Sequence, residues 1–190
     1  MGEPALRQYS FAEYLRLEAA SDTKNEYFNG HILAMAGGTA EHGFLAMAVA
    51  SELRAQLRGK PCQPCSSDVR IRIPATGLAT YPDVSVVCGP PTRDHEDVDS
   101  ITNPTVIVEV LSKSTEAYDR GEKFHQYRRL VSMRDYVLVC QGIARIEHFE
   151  RTVNGWVLHS AGPGESIGLK SIGCELSVDA VYEGVEQFRL

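Results

Sequence analysis

The sequence predicts a single α/β domain with a central mixed β-sheet flanked by helices, and three observations carry that prediction. Two apolar, β-branched runs, VSVVC and TVIVEVL, read as buried strands. Two stretches with helical periodicity, one before these runs and one after, supply apolar faces to cover them. Further strand-like runs follow the second helix, so the order is helix, three strands, helix, strand.

The elements follow in chain order. Ser10-x-x-Glu13 is a capping box and opens a short helix to about Leu17. Residues 24 to 35 read as a hairpin turning at Asn29-Gly30, with NEYF before the turn and HILAMA after it. Gly37-Gly38 break the pattern, and Thr39 caps a helix to about Leu57 with Leu45, Ala46, Val49 and Leu53 on one face. Strands are expected over residues 69 to 73, 84 to 88 and 105 to 111. VRIRI alternates strictly, which predicts one polar face, whereas VIVEV does not, which predicts two covered faces. A helix over residues 115 to 131 comes next, then the strands YVLVC, 145 to 151 and 155 to 159. SVDAVYEGV reads as a closing short helix. Neither a repeat nor a linker interrupts the chain. It divides into an N-terminal helix and hairpin (10–36), a core (about 39–140) and C-terminal strands with a short helix (145–190).

Composition narrows the class. Hydrophobic residues make up 43% and charged residues 23% of the 190, as in ordinary globular domains. No apolar run approaches the roughly 20 residues of a membrane helix. The opening MGEPALRQYSFAEYL lacks a basic segment followed by an apolar stretch, and Leu6 replaces the Ser/Thr of a myristoylation signal, so a cytoplasmic location is expected. Of five cysteines, only Cys62 and Cys65 are close. CQPC follows a helix and precedes a strand, the reverse of a thioredoxin-type pair, and lacks a second pair for zinc. It reads as a loop with two reduced thiols, and Cys88 and Cys140 read as core residues ending strands.

The net charge of −6 argues against a protein that holds DNA mainly by its surface charge. Its distribution is uneven. Arg120, Lys123, Arg128, Arg129 and Arg134 stand against Glu122 alone, while Asp94, Glu96, Asp97 and Asp99 stand against Arg93. The acidic run lacks the glycine and final acid of an EF-hand loop, which excludes calcium of that kind.

Two acids sit inside apolar strands: Asp83 opens one and Glu109 interrupts the other. A carboxylate there is costly unless paired. Asp119, Lys123 and Tyr127 recur at four-residue spacing on the following helix and share a face. Strand acids with a helix lysine suit metal-assisted cleavage of a phosphodiester. Magnesium favours hard oxygen ligands, and a lysine can orient water or stabilise developing charge. Otherwise, Asp119 and Lys123 would be an ordinary surface pair worth about 0.3–0.5 kcal/mol.

Pro82-Asp83 and Glu109, in this order of elements, resemble the PD-(D/E)XK nuclease superfamily. EYFNG, His42 opening the long helix, SDVRI, YPDVSVV, NPTVIVEVLS, ST-x-x-YD-x-x-x-K-x-x-x-Y and RDYVLV resemble the Uma-type family of bacterial restriction endonucleases, common in cyanobacteria. The resemblance spans about residues 11 to 139 and implies a restriction-endonuclease-like fold. It also implies an endonuclease hydrolysing DNA with Mg²⁺, for which Mn²⁺ can substitute. Asp83 and Glu109 would be the metal ligands and the Val110 carbonyl the third. The sequence departs from the superfamily at Leu111, where E-x-K would have its lysine. Lys123 is the expected replacement, as the resemblance also implies, with Lys113 in the turn as the alternative. Asp119 and Tyr127 are expected in support, with Asp68, His42 and Glu26 as further candidates. Glu52 is expected to face solvent, and Ser112, Ser114 and Thr115 to cap a helix rather than act as nucleophiles. A homodimer would suit cleavage of both strands. The rival readings are a non-catalytic nucleic-acid or protein-binding module and a metal-dependent hydrolase of a small phosphate ester.

Overall fold

A computed structural model describes residues 7–35 and 37–189. The expectations about the first six residues, and the last residue of the hairpin run, Ala36, lie outside them. The elements are α1 (Phe11–Ala19), β1 (Asn25–Phe28), β2 (His31–Ala34), α2 (Ala40–Gln56), β3 (Cys62–Ser66), β4 (Ile71–Ile73), β5 (Leu78–Thr80), β6 (Val84–Cys88) and β7 (Pro104–Leu111). They continue with α3 (Glu116–Tyr118), a π-helical turn (Asp119–Lys123), α4 (Phe124–Tyr127), β8 (Asp135–Cys140), β9 (Ile146–Thr152), β10 (Gly155–Ala161), β11 (Ser166–Leu169), β12 (Cys174–Ser177), α5 (Val178–Tyr182) and a 3₁₀ turn (Val185–Phe188).

A six-stranded sheet in the order β10-β9-β8-β7-β6-β3 forms the centre. β7 and β8 are parallel and the other neighbours antiparallel, so the sheet is mixed, as expected. A four-stranded antiparallel sheet, β2-β1-β5-β4, stands beside it, and β11 and β12 form a separate hairpin. Among the described residues, no helix is long and apolar enough to cross a membrane.

β7 lacks alternation because it separates two cores. Val106, Val108 and Val110 pack with Leu45, Val49 and Leu53 of α2 and with Val178 and Val181 of α5. Ile107 and Leu111 pack on the opposite side with Tyr127, Tyr136 and Leu138, and with Ile71, Ile73 and Leu78 of the smaller sheet. Burying each leucine or isoleucine is worth about 1.5–3 kcal/mol. Glu109 shares the parity of Ile107 and Leu111 and therefore enters this second core.

Both N-terminal caps agree with the sequence: Ser10 and Glu13 form the capping box, and Thr39 accepts the His42 amide. The turn at Asn29-Gly30 also agrees, and both residues have positive φ, as such a turn requires. VRIRI has the polar face its alternation predicts, carried by Arg70 and Arg72, but that face is covered: Arg72 is buried with its guanidinium 3.8 Å from the Phe11 ring centre of α1, and Arg70 bonds Asp97 and Tyr81. Other expectations are corrected. CQPC is strand rather than loop, and Cys62 is not a free thiol. The register opposes Cys62 to Cys88, and a disulfide joins them, while Cys65 remains free. The helix expected to residue 131 ends at Tyr127 and contains a π-helical turn.

Candidate active site

Continuing the β6–β7 register beyond Val84↔Val108 sets Asp83 beside Glu109. The Asp83 amide points at Glu109 Oε2 (3.4 Å), and Asp83 Oδ2 accepts the Val110 amide at 2.7 Å. Asp83 is thus fixed by the strand that carries the second acid. His42, in the first turn of α2, holds the other oxygen, with Nε2 2.9 Å from Asp83 Oδ1. That bond to Asp83 outweighs burial and raises the imidazole pKa. His42 Nδ1 is buried and has no hydrogen-bond partner.

Lys123 emerges from the π-helical turn with its side chain only 5% exposed. Its Nζ is 3.0 Å from Glu109 Oε1, 3.1 Å from Glu26 Oε1 and 3.7 Å from Asp119 Oδ1. Burial opposes this charge, but Glu109, Glu26 and Asp119 together overcome it and raise the pKa of the ammonium well above its ordinary value. Tyr127 donates to Glu109 Oε1 at 2.8 Å. Burial, then Glu109, raises the phenol pKa strongly, so Tyr127 stays protonated and donating. Glu109 itself is pushed up to about 8, chiefly by burial and, against the pull of Lys123, by Asp83 and Asp119.

The fold therefore gathers Glu26, His42, Asp83, Glu109, Val110, Asp119 and Lys123 around one cavity of about 420 Å³, with Tyr127 behind Glu109. The hairpin wall of Leu33 and Met35, the Gly37-Gly38 loop and the turn at Ser112 close its sides. Local departure from α-helical geometry, here at Asp119 and Lys123, often accompanies function.

Other candidates lie elsewhere. Asp68 does not join the cluster. It is exposed, bonds Lys24 Nζ at 2.7 Å, and borders a second cavity of about 410 Å³ whose Arg70 and Asp97 are paired with each other. Lys113 is exposed in the turn, which leaves Lys123 as the lysine at Glu109. Glu52 is not among the residues lining the site cavity. Ser112 Oγ accepts the Thr115 amide in a local turn, and Thr115 itself makes no side-chain cap. Among the described residues, three metal-capable side chains converge within 4.8 Å only at Asp94, His95 and Glu96, where His95 and Glu96 are exposed. The basic stretch is partly neutralised, since Arg120 pairs with Glu116 and Glu147.

The individual residue reading missed three supporting side chains. Thr80 and Tyr118 donate to Glu26, and Tyr136 donates to the Asp119 carbonyl at 2.9 Å. Tyr118 and Tyr136 lie within the YD and RDYVLV motifs, so a signal existed for them; Thr80 carried none.

Residues 11–180 match the family described as "Uma2: Putative restriction endonuclease". A Synechocystis protein named "Uncharacterized protein slr1290" is 39% identical over 174 residues, covering 91% of this chain and 90% of that protein. A second Synechocystis protein, "Uncharacterized protein sll1609", is 32% identical over 140 residues, covering 74% and 79% respectively. A crystal structure of "a putative nuclease belonging to DUF820" from Anabaena variabilis superposes with a TM-score of 0.73 at 14% identity, covering 92% of this chain and 97% of that one. That likeness establishes the restriction-endonuclease-like α/β fold, and the family match spans both strand acids and the helix lysine. The chain belongs to the Uma2 family.

Proposed function

We propose that this protein is a Mg²⁺-dependent endonuclease that hydrolyses DNA phosphodiester bonds, with Mn²⁺ as a substitute ion. The observation that carries this reading is the ammonium of Lys123, 3.0 Å from Glu109, on a helix that follows a strand lacking its E-x-K lysine.

The residues fit a hard divalent cation. Four carboxylates, Glu26, Asp83, Glu109 and Asp119, face the cavity against one permanent cation, and Glu109 is pushed up to about 8. That excess of negative charge calls for a proton or a metal ion. Asp83 and Glu109 would hold the metal, with the Val110 carbonyl as third ligand, and magnesium tolerates so few protein ligands because it retains waters. When bound, the ion supplies charge neutralisation at the phosphate and lowers the pKa of water. Lys123 orients the attacking water or stabilises charge developing on the phosphate. Tyr127 fixes Glu109, His42 fixes Asp83, and Asp119 and Glu26 hold Lys123 in place. A homodimer would bring two such sites to one duplex. This reading keeps the cytoplasm, expected from the sequence, as the proposed site of action.

Asp83→Ala and Glu109→Ala should each abolish metal-dependent cleavage of plasmid and single-stranded DNA without unfolding the protein. Retained cleavage in both would overturn the assignment. The modest size of the cavity, about 420 Å³, favours one second reading, hydrolysis of a small phosphate ester, which a panel of phosphomonoesters and diesters separates from nuclease action.

A further inference from the structure

Resting on the nuclease reading above, we infer that the cavity takes an unpaired nucleic-acid strand in preference to intact duplex. The reacting groups lie below the surface: Glu109 and Lys123 are 3% and 4% exposed, and the Asp83 side chain 16%. A scissile phosphate must therefore enter the cavity rather than lie across its mouth. A duplex is stiff over many base pairs, whereas a single strand can bend one phosphate inward.

Charge alone gives this cavity little hold on a row of phosphates. Among the described residues lining it, Lys123 is the one lysine or arginine, and Glu26, Glu109 and Asp119 already engage it. The adjacent turn adds the exposed Lys113. Contact with the bases must supply the rest, and single-strand sites gain such affinity by stacking unpaired bases on side chains beside the backbone groove.

The hairpin supplies such a surface. Leu33 lies directly opposite Glu26 in the β1–β2 register, which puts both on the same face, toward the cavity. Leu33 is 51% exposed although it is apolar. Met35 extends this wall, and the Tyr118 ring borders the cavity beside Glu26. A base flanking the bound phosphate would rest on this wall, which it can do only when unpaired. One site suffices for a single strand, so this preference requires no dimer.

The test uses the full chain with Mn²⁺ and one fluorescent oligonucleotide, offered single-stranded and as a blunt duplex. Fluorescence anisotropy reads binding and a denaturing gel reads cleavage. The single strand should bind more tightly and be cut at least about tenfold faster, the size of one base-stacking contribution. Equal or faster cutting of the duplex would overturn the strand preference. Selective binding of the single strand without cutting would overturn the nuclease reading while upholding the preference. Binding of neither form would overturn both. Leu33→Ala should weaken single-strand binding about tenfold, through the loss of apolar surface beneath the base. Unchanged binding by a folded Leu33→Ala protein would overturn the role of the hairpin wall.

Discussion

The ammonium of Lys123 lies 3.0 Å from Glu109 Oε1, and the Tyr127 hydroxyl meets the same oxygen at 2.8 Å from one turn further along. A lysine two residues beyond Glu109 would occupy the position of Leu111, which is instead 3% exposed in the second core. The cation has moved to the neighbouring helix, and the strand position has become packing.

Loss of that cation should be severe. Lys123→Met removes the ammonium that faces the buried Glu109, Glu26 and Asp119 together. Breaking a buried pair in this way costs about 3–5 kcal/mol. Urea unfolding should show that loss, and cleavage should fall to background. A variant as stable as wild type would show that the ammonium is not needed to hold these acids.

Tyr127→Phe removes the hydroxyl but keeps the ring packed beside Tyr136. The lost hydrogen bond to buried Glu109 should cost about 1–3 kcal/mol. Metal affinity should weaken as Glu109 becomes less firmly held, which calorimetry checks.

The metal-free protein should lose stability as pH rises. The folded-state pKa of Glu109 is raised to about 8, chiefly by burial, from an ordinary value of 4.5. Between these values the folded protein keeps a proton that the unfolded chain has released. Its contribution to stability is full below about 4.5 and is lost as pH rises through about 8. Denaturation midpoints at pH 5.5 and pH 9, compared with those of Glu109→Gln, isolate this group. A wild-type and Gln difference that stays constant with pH would contradict it. Added Mg²⁺ should stabilise the wild type most at the alkaline end, where it no longer competes with the proton.

Asp68→Ala should leave metal binding and cleavage unchanged, because Asp68 is exposed and paired with Lys24 beside the other cavity. Stability should change by no more than about 0.5 kcal/mol. A loss of activity would return Asp68 to the site.

Much of this site was legible because each signal was local. Asp83 and Glu109 stood out as acids in apolar strands, and Asp119, Lys123 and Tyr127 by helical spacing. Glu26 was harder, since a strand acid near a turn looks solvated until β5 and the π-helical turn deliver Thr80 and Lys123 to it. VRIRI announced its polar face correctly, but alternation does not say what covers that face, here Asp97 and Phe11. The Cys62–Cys88 link depends on β3–β6 pairing between distant segments, which CQPC spacing does not encode. β11 and β12 are four-residue strands whose short runs carry little periodicity.

Calorimetric titration of wild type and Glu109→Ala with Mg²⁺ and Mn²⁺ tests the central claim most directly. Binding by the wild type that disappears in the variant is the predicted result. Equal binding by both proteins, or binding by neither at millimolar metal, would contradict a metal centre built on Asp83 and Glu109.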